Sequence, residues 1–108
     1  MSKDFNTIVD ELILVIEESE QYRNYMRLHD SVEKDPELRS KIDEIRNLNF
    51  KLSTERNADA AYEELEVLER RFDELSEDKR VFDFIQAESE FVRIYQEVNK
   101  RVLDKFKF

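Results

Sequence analysis

The sequence predicts an all-α protein, and its glycine content and its large apolar residues lead to that class. Among 108 residues there is no glycine and one proline, Pro36. β-Hairpin turns, bulges and phosphate-binding loops depend on glycine, because they need positive φ or a close approach of the backbone. Eight Phe and four Tyr distinguish the chain from a disordered one. We expect one domain, residues 1–108, folded as a helical bundle of four to five helices built on a long antiparallel helical hairpin.

Two amphipathic segments open the chain. Between about Asp4 and Glu17, apolar residues recur every three or four positions, as in an amphipathic helix. They are Phe5, Ile8, Val9, Leu12, Val15 and Ile16. The next segment, from about Ser19 to Lys34, repeats this spacing with Tyr22, Tyr25, Met26, His29 and Val32. Ser19 is a suitable cap for a new helix, so the pattern leaves open whether residues 4–34 form one bent helix or two.

The sequence Asp35-Pro36-Glu37 marks the clearest helix start, because Asp suits the N-cap, Pro the first helical position and Glu the first turn. Leu38, Ile42, Ile45 and Leu52 follow in heptad steps, with Asn49 in the intervening place. A polar link at residues 53–59 precedes another helical pattern, made by Ala61, Leu65, Leu68, Phe72 and Leu75. Similar lengths and a short link predict that these two helices form the antiparallel hairpin.

The last predicted helix runs from about Lys79 to Lys105, with Ser76 or Asp78 as its cap. Its main stripe is Val81, Ile85, Glu88, Val92, Tyr95, Asn99, Val102 and Phe106, and a second stripe is Phe84, Phe91 and Val98. A helix of about 27 residues is roughly 40 Å long, whereas a compact chain of this size is about 34 Å across. We therefore expect an elongated fold or a last helix that projects toward a partner.

Two apolar stripes exceed what one neighbouring helix can cover, so the last helix is the candidate protein interface. Its residues are Phe84, Glu88, Phe91, Tyr95, Val98, Asn99 and Val102. Two interpretations of Glu88 and Asn99 stay open. They either set the register of an oligomer, as a buried Asn does in coiled coils, or lie at the edge of the stripe in water. The aromatic residues, in turn, either bind a partner or form ordinary core.

Catalytic, metal and cofactor sites are not expected. The chain has no cysteine, which excludes disulfides and thiolate sites, and its one histidine, His29, has only Glu33 at a suitable helical spacing. Met26 stands where a Glu-x-x-His di-iron motif needs Glu. The carboxylates run along predicted solvent faces, where an acid pair in a cleft is not expected. The sequence therefore predicts no enzyme and no small-molecule substrate.

The formal net charge of −9 argues against direct nucleic-acid binding and against anionic membrane surfaces. No apolar stretch approaches the roughly 18 residues that a membrane span needs, and the longest is Leu12 to Ile16. This stretch is flanked by acids and is too short for a signal-peptide core. We expect a cytoplasmic protein.

Two segments resemble the YlbF/YmcA family of small bacterial helical proteins. The first, ESEQYRNYMRLHDSVEKDPELRSKIDEIRNLNFKL from Glu18 to Leu52, has a Ser-Glu-x-Tyr-like start, the Asp-Pro-Glu opening and a Leu/Ile-rich helix. The second, VFDFIQAESEFVRIYQEVNKRV from Val81 to Val102, is similar to the family's closing helix. There Ala87-Glu88 precedes an apolar stretch and Val98-Asn99. The similarity extends in outline over nearly the whole chain.

This resemblance implies regulation rather than catalysis, by a helical bundle that self-associates or pairs with paralogues. The best-studied members of the family act in a cytosolic complex that modulates ribonuclease Y-dependent RNA processing, and they influence competence, biofilm formation and sporulation. Some carry a C-terminal cysteine-rich tail linked with iron–sulfur binding. This chain has no cysteine, so the resemblance implies no cofactor here.

Two functional hypotheses follow. The first is a non-enzymatic regulatory adaptor that assembles through apolar helix faces as a homo-oligomer or a paralogue hetero-oligomer. The second, prompted by the charge of −9, is an acidic helical mimic or sequestering protein that occupies a basic site on a nucleic-acid-binding partner. Binding of the second kind weakens steeply with salt, whereas an apolar interface barely responds.

Overall fold

The computed structural model describes residues 4–106, which contain five helices and no strand. They are α1 (Phe5–Glu17), α2 (Glu20–Lys34), α3 (Pro36–Thr54), α4 (Ala58–Leu75) and α5 (Lys79–Phe106). The all-α class predicted from the missing glycine is confirmed, and the helix ends lie close to the predicted ones.

Short polar side chains cap the helices and settle two questions that the sequence left open. The Ser19 hydroxyl accepts a hydrogen bond from the Tyr22 N–H at 3.2 Å and donates one to the Ile16 carbonyl at 2.6 Å. The segment 4–34 is therefore two helices with a break at Ser19. At the other end of the chain, the Asp78 carboxylate accepts from the Arg80 N–H at the start of α5, while Ser76 follows the end of α4.

The core lies where the C-terminal part of α2 meets the first halves of α3 and α5. Its buried members are Val32, Leu38, Ile42, Ile45, Val81 and Phe84. Leu68, Phe72 and Leu75 of α4 pack against this cluster without being fully buried. Each helix brings apolar residues three or four positions apart to the same side, which is why the heptad steps of α3 supply half of the cluster.

Ion pairs and aromatic contacts between helices show the directions in which the helices run. Arg71 on α4 pairs with Glu44 on α3, and Lys51 lies 3.9 Å from Glu64 further along, so α3 and α4 run antiparallel. The predicted hairpin is confirmed. Against α5, the ring of Tyr22 lies 5.3 Å from Phe91, and the later part of α2 reaches the start of α5, so these helices also run antiparallel.

The molecule is flat and elongated. Its radius of gyration is 17.6 Å and its extents are 55 × 36 × 15 Å, whereas a compact chain of this length has a radius of gyration near 13 Å. A thickness of 15 Å is little more than one helix diameter of about 10–12 Å. In such a layer, neighbours cover only part of each helix, so apolar stripes are left in contact with water. None of the described helices is both long and apolar enough to cross a membrane.

Candidate protein interface

Helix α5 divides into a covered half and an exposed half. In its first turns, Val81, Phe84 and Ala87 are buried. Further along, Tyr95 is 44% exposed and Val102 is 49% exposed, although the apolar spacing of the helix continues unchanged. The candidate interface predicted from sequence therefore spans two different environments.

Phe84 belongs to the covered half. Its side chain is 1% exposed, its ring lies 5.8 Å from that of Tyr25, and the Arg46 guanidinium carbon sits 5.5 Å from the ring centre. Contacts within the chain already surround this residue. Phe84 is a core residue and leaves the candidate interface, because a partner cannot reach it without unfolding the α2–α5 contact.

Glu88 and Phe91 lie at the border between the two halves. The Glu88 carboxylate accepts a hydrogen bond from the Arg46 guanidinium at 2.5 Å, and Phe91 stacks on Tyr25 with ring centres 5.1 Å apart. Burial raises the pKa of the Tyr25 phenol, and the Glu88 charge raises it further, while Arg46 acts in the opposite direction. Glu88 therefore forms an ion pair within the monomer and is half-buried there.

Tyr95, Val98, Asn99 and Val102 form the exposed half. Val98 is half-buried and the other three are exposed, which places Asn99 in contact with water. Tyr95 lies edge-on to Phe91, with ring centres 6.1 Å apart. Together, Tyr95, Val98 and Val102 form an apolar strip along about two turns of α5, which we call the α5 strip.

Helix α1 carries a second exposed apolar surface, which was not among the predicted site residues. None of its residues is buried: Phe5 is 81% exposed, Val15 63% and Leu12 38%. On a helical wheel, its apolar residues occupy one broad side, and we call this side the α1 face. It consists of Phe5, Ile8, Val9, Leu12, Ile13, Val15 and Ile16. The unbroken apolar run from Leu12 to Ile16 could have indicated this surface from the sequence, because a chain of 108 residues has little core in which to bury it.

The two exposed surfaces carry opposite charge. Residues 4–18 contain five carboxylates and no basic residue, whereas residues 93–105 contain four basic and two acidic residues, a net +2. The chain as a whole has a net charge of −9, so the end of α5 is a local basic region on an acidic molecule. The described residues thus provide two amphipathic helical surfaces of opposite charge.

The model of the family described as "Control of competence regulator ComK, YlbF/YmcA" matches residues 7–105. The chain belongs to the YlbF/YmcA family. The match extends from the first turn of α1 to the last turn of α5, so the α1 face and the α5 strip both lie within the YlbF/YmcA region. Comparisons with curated proteins and with solved structures gave no match.

Elsewhere on this YlbF/YmcA-family chain, charged clusters hold helices together. Asp78 accepts from Arg80 and from Lys41 at 3.1 Å, and Arg80 also reaches Asp35. The Arg80 and Lys41 hydrogen bonds hold the pKa of the Asp78 carboxyl far below its usual range. These contacts join the start of α5 to the start of α3, so they account structurally for the shifted pKa.

Two further features of the described residues bear on ligand binding. Among residues 4–106, no three His, Asp or Glu side chains come together in a way that could hold a metal ion. An open groove of about 550 Å³ between α2 and α5 is lined by six polar residues, among them Arg23, Arg27 and Glu90. Small-molecule sites are usually enclosed and mostly apolar, and this groove is neither.

Proposed function

We propose that this YlbF/YmcA-family protein is a non-enzymatic regulatory adaptor that assembles through apolar helix faces. Through that assembly it modulates ribonuclease Y-linked RNA processing, and with it competence, biofilm formation or sporulation. The family description as a control of the competence regulator ComK supports a regulatory role. The link to ribonuclease Y rests on the family resemblance of the Glu18–Leu52 and Val81–Val102 segments.

One observation carries the proposal of assembly: two amphipathic helices expose apolar side chains to water at 38–81% of their surface, as Leu12 and Phe5 illustrate. Contiguous exposed apolar surface rimmed by charge is typical of protein–protein contact sites. An adaptor needs such surfaces more than it needs a cleft, because its activity consists of bringing other proteins together.

A genetic rescue experiment tests the proposal. We expect deletion of the gene to leave ribonuclease Y-dependent transcripts unprocessed and to lower competence, and wild-type protein to restore both. Val102→Asp, in the α5 strip, should fail to restore them, whereas Phe50→Asp should succeed. Phe50 is 69% exposed on α3, so its substitution is a matched control for adding a carboxylate at an exposed apolar position.

Transcript 5′ ends mapped across the genome give the readout, together with transformation frequency. A deletion strain with unchanged transcript ends and unchanged transformation would overturn the proposed function. Full rescue by Val102→Asp at normal protein level would instead show that regulation does not use the α5 strip.

A second candidate function has its own support. Helix α4 contains seven acidic and two basic residues and no buried one, which suits an acidic surface that occupies a basic site on a nucleic-acid-binding protein. Reversing Glu63 and Glu66 to Lys would then weaken binding to such a partner, and raising the salt concentration would do the same. If partner binding responds to neither change, this candidate fails.

A further inference from the structure

We propose that the α1 face of one chain packs on the α5 strip of a second copy, and that the second copy returns the same contact, giving a closed twofold dimer. This inference rests on the proposed assembly through apolar faces and names the partner and the arrangement. Three features carry it: where α2 stops covering α5, the matching lengths of the two surfaces, and their opposite charge.

Because α2 runs antiparallel to α5, the first turn of α2 lies against the middle of α5, and α2 covers no residue of α5 beyond that point. Tyr22 is the third residue of α2, and it contacts Phe91. Beyond Phe91, the main apolar stripe of α5 continues through Tyr95 and Val102. The chain changes direction at Ser19, so α1 does not continue along α5. The exposure of Tyr95 and Val102 is the direct consequence of that turn.

The lengths of the two surfaces agree. Helix α1 has 13 residues, which is about 20 Å at 1.5 Å per residue. On α5, the α5 strip together with the last turn of the helix extends from Tyr95 to Phe106, which is 12 residues and about 18 Å. One helix can therefore cover the other from end to end.

The charges favour α1 on α5 over two copies of the same helix. An α1–α1 contact would bring together helices that carry only carboxylates, and an α5–α5 contact would bring together two regions of net positive charge. The mixed contact instead brings the acidic α1 together with the basic end of α5. Opposite potentials across an interface select the partner and its orientation.

A second copy suits these surfaces better than another protein, because one chain carries both halves of the contact. Two copies related by a twofold axis make the contact twice, and this arrangement leaves neither the α1 face nor the α5 strip exposed. A closed dimer also avoids the open filament that a single, non-reciprocal contact would propagate.

The first test is the solution mass, measured by light scattering over a range of protein concentrations. We expect wild type at twice the 13.2 kDa of one chain. Leu12→Asp in α1 and Val102→Asp in α5 should each weaken dimerisation by about tenfold or more, because each buries an unpaired carboxylate. Phe50→Asp should leave the dimer intact. A dimer that survives both substitutions, or that Phe50→Asp dissociates, overturns the proposal.

Mixing the two variants distinguishes the exchanged contact from its alternatives. A chain with Leu12→Asp keeps a functional α5 strip, and a chain with Val102→Asp keeps a functional α1 face. Their mixture restores one of the two contacts, so we expect mixed dimers at concentrations where neither variant dimerises alone. An α1–α1 or α5–α5 interface gives no such recovery, so a mixture that stays monomeric refutes the exchange.

A cysteine crosslink tests whether the contact is made between chains or within one. The chain has no cysteine of its own, so the double variant Leu12→Cys, Val102→Cys reports only the introduced pair. Leu12 lies near the middle of α1, and Val102 lies in the α5 strip, so the proposed contact brings the two surfaces that carry them together. Oxidation should give a covalent dimer on a non-reducing gel, and a crosslink confined to the monomer overturns the proposal.

Failure of this inference can be told apart from failure of the proposed function. A wild-type monomer that restores transcript processing in the deletion strain refutes the dimer and leaves the regulatory role standing. A dimer with the expected mixing behaviour that restores neither processing nor competence supports the inference and refutes the regulatory role.

Discussion

Replacing Phe84 by Ala should destabilise the protein far more than replacing Val102 on the same helix. Phe84 is 1% exposed and Val102 is 49% exposed. A buried Phe→Ala substitution costs about 3–5 kcal/mol, because the transfer free energy of the ring is lost and a cavity is left. Losing the Arg46 contact with the ring adds about 0.5–1 kcal/mol. Val102→Ala removes two half-exposed methyl groups, and we expect a cost of about 1 kcal/mol or less.

Urea unfolding followed by far-UV circular dichroism measures both free energies. It should be done at one fixed protein concentration, since association adds to the apparent stability. In a thermal scan, Phe84→Ala should lower Tm by on the order of 15–25 °C. A cost below about 1 kcal/mol for Phe84→Ala would refute the assignment of Phe84 to the core, and would return it to the candidate interface.

Three further substitutions test single contacts. Ser19→Ala should lower the free energy of unfolding by about 1 kcal/mol, because the Tyr22 N–H loses its cap; urea unfolding measures this, and an unchanged midpoint would contradict the role of Ser19. The Asp78 pKa is lowered in the folded state, so its stabilisation is complete above the ordinary Asp pKa and is lost as pH falls below it. Asp78→Asn should therefore flatten the loss of stability between about pH 5 and pH 2, and parallel wild-type and variant curves would exclude this contribution. Glu88→Gln should lower the pKa of Tyr25, whose raised value depends first on burial and then on Glu88; absorbance at alkaline pH reports this titration, and a pKa that stays or rises would contradict it.

Local sequence signals were sufficient to predict the helices and the hairpin. Asp35 caps α3 and Pro36 begins it, as predicted. Of the α3 residues in heptad steps, Leu38, Ile42 and Ile45 are buried, whereas Leu52 is half-buried and Asn49 is exposed. These features depend on neighbours within one helical turn, so a single sequence contains them.

The extent to which α5 is covered could not be predicted in the same way. Phe84 and Val102 belong to neighbouring apolar stripes of the same helix, and periodicity treats both as apolar positions. Their difference arises because α2 ends its cover at Phe91, and that end is set by the break at Ser19 on another helix. The sequence also predicted the apolar side of α1. Whether the rest of the chain buries that side depends on the break at Ser19, which directs α1 away from the core.

The thinness of the molecule has a consequence for its lifetime in the cell. Only seven of the described residues are buried, so the folded monomer has few contacts with which to resist opening. Binding that favours the folded state adds about 2.7 kcal/mol when the partner is present at 100 times the dissociation constant. Proteases degrade chains from their open state. The amount of this protein should therefore follow the amount of its binding partner, since unassembled copies are removed first.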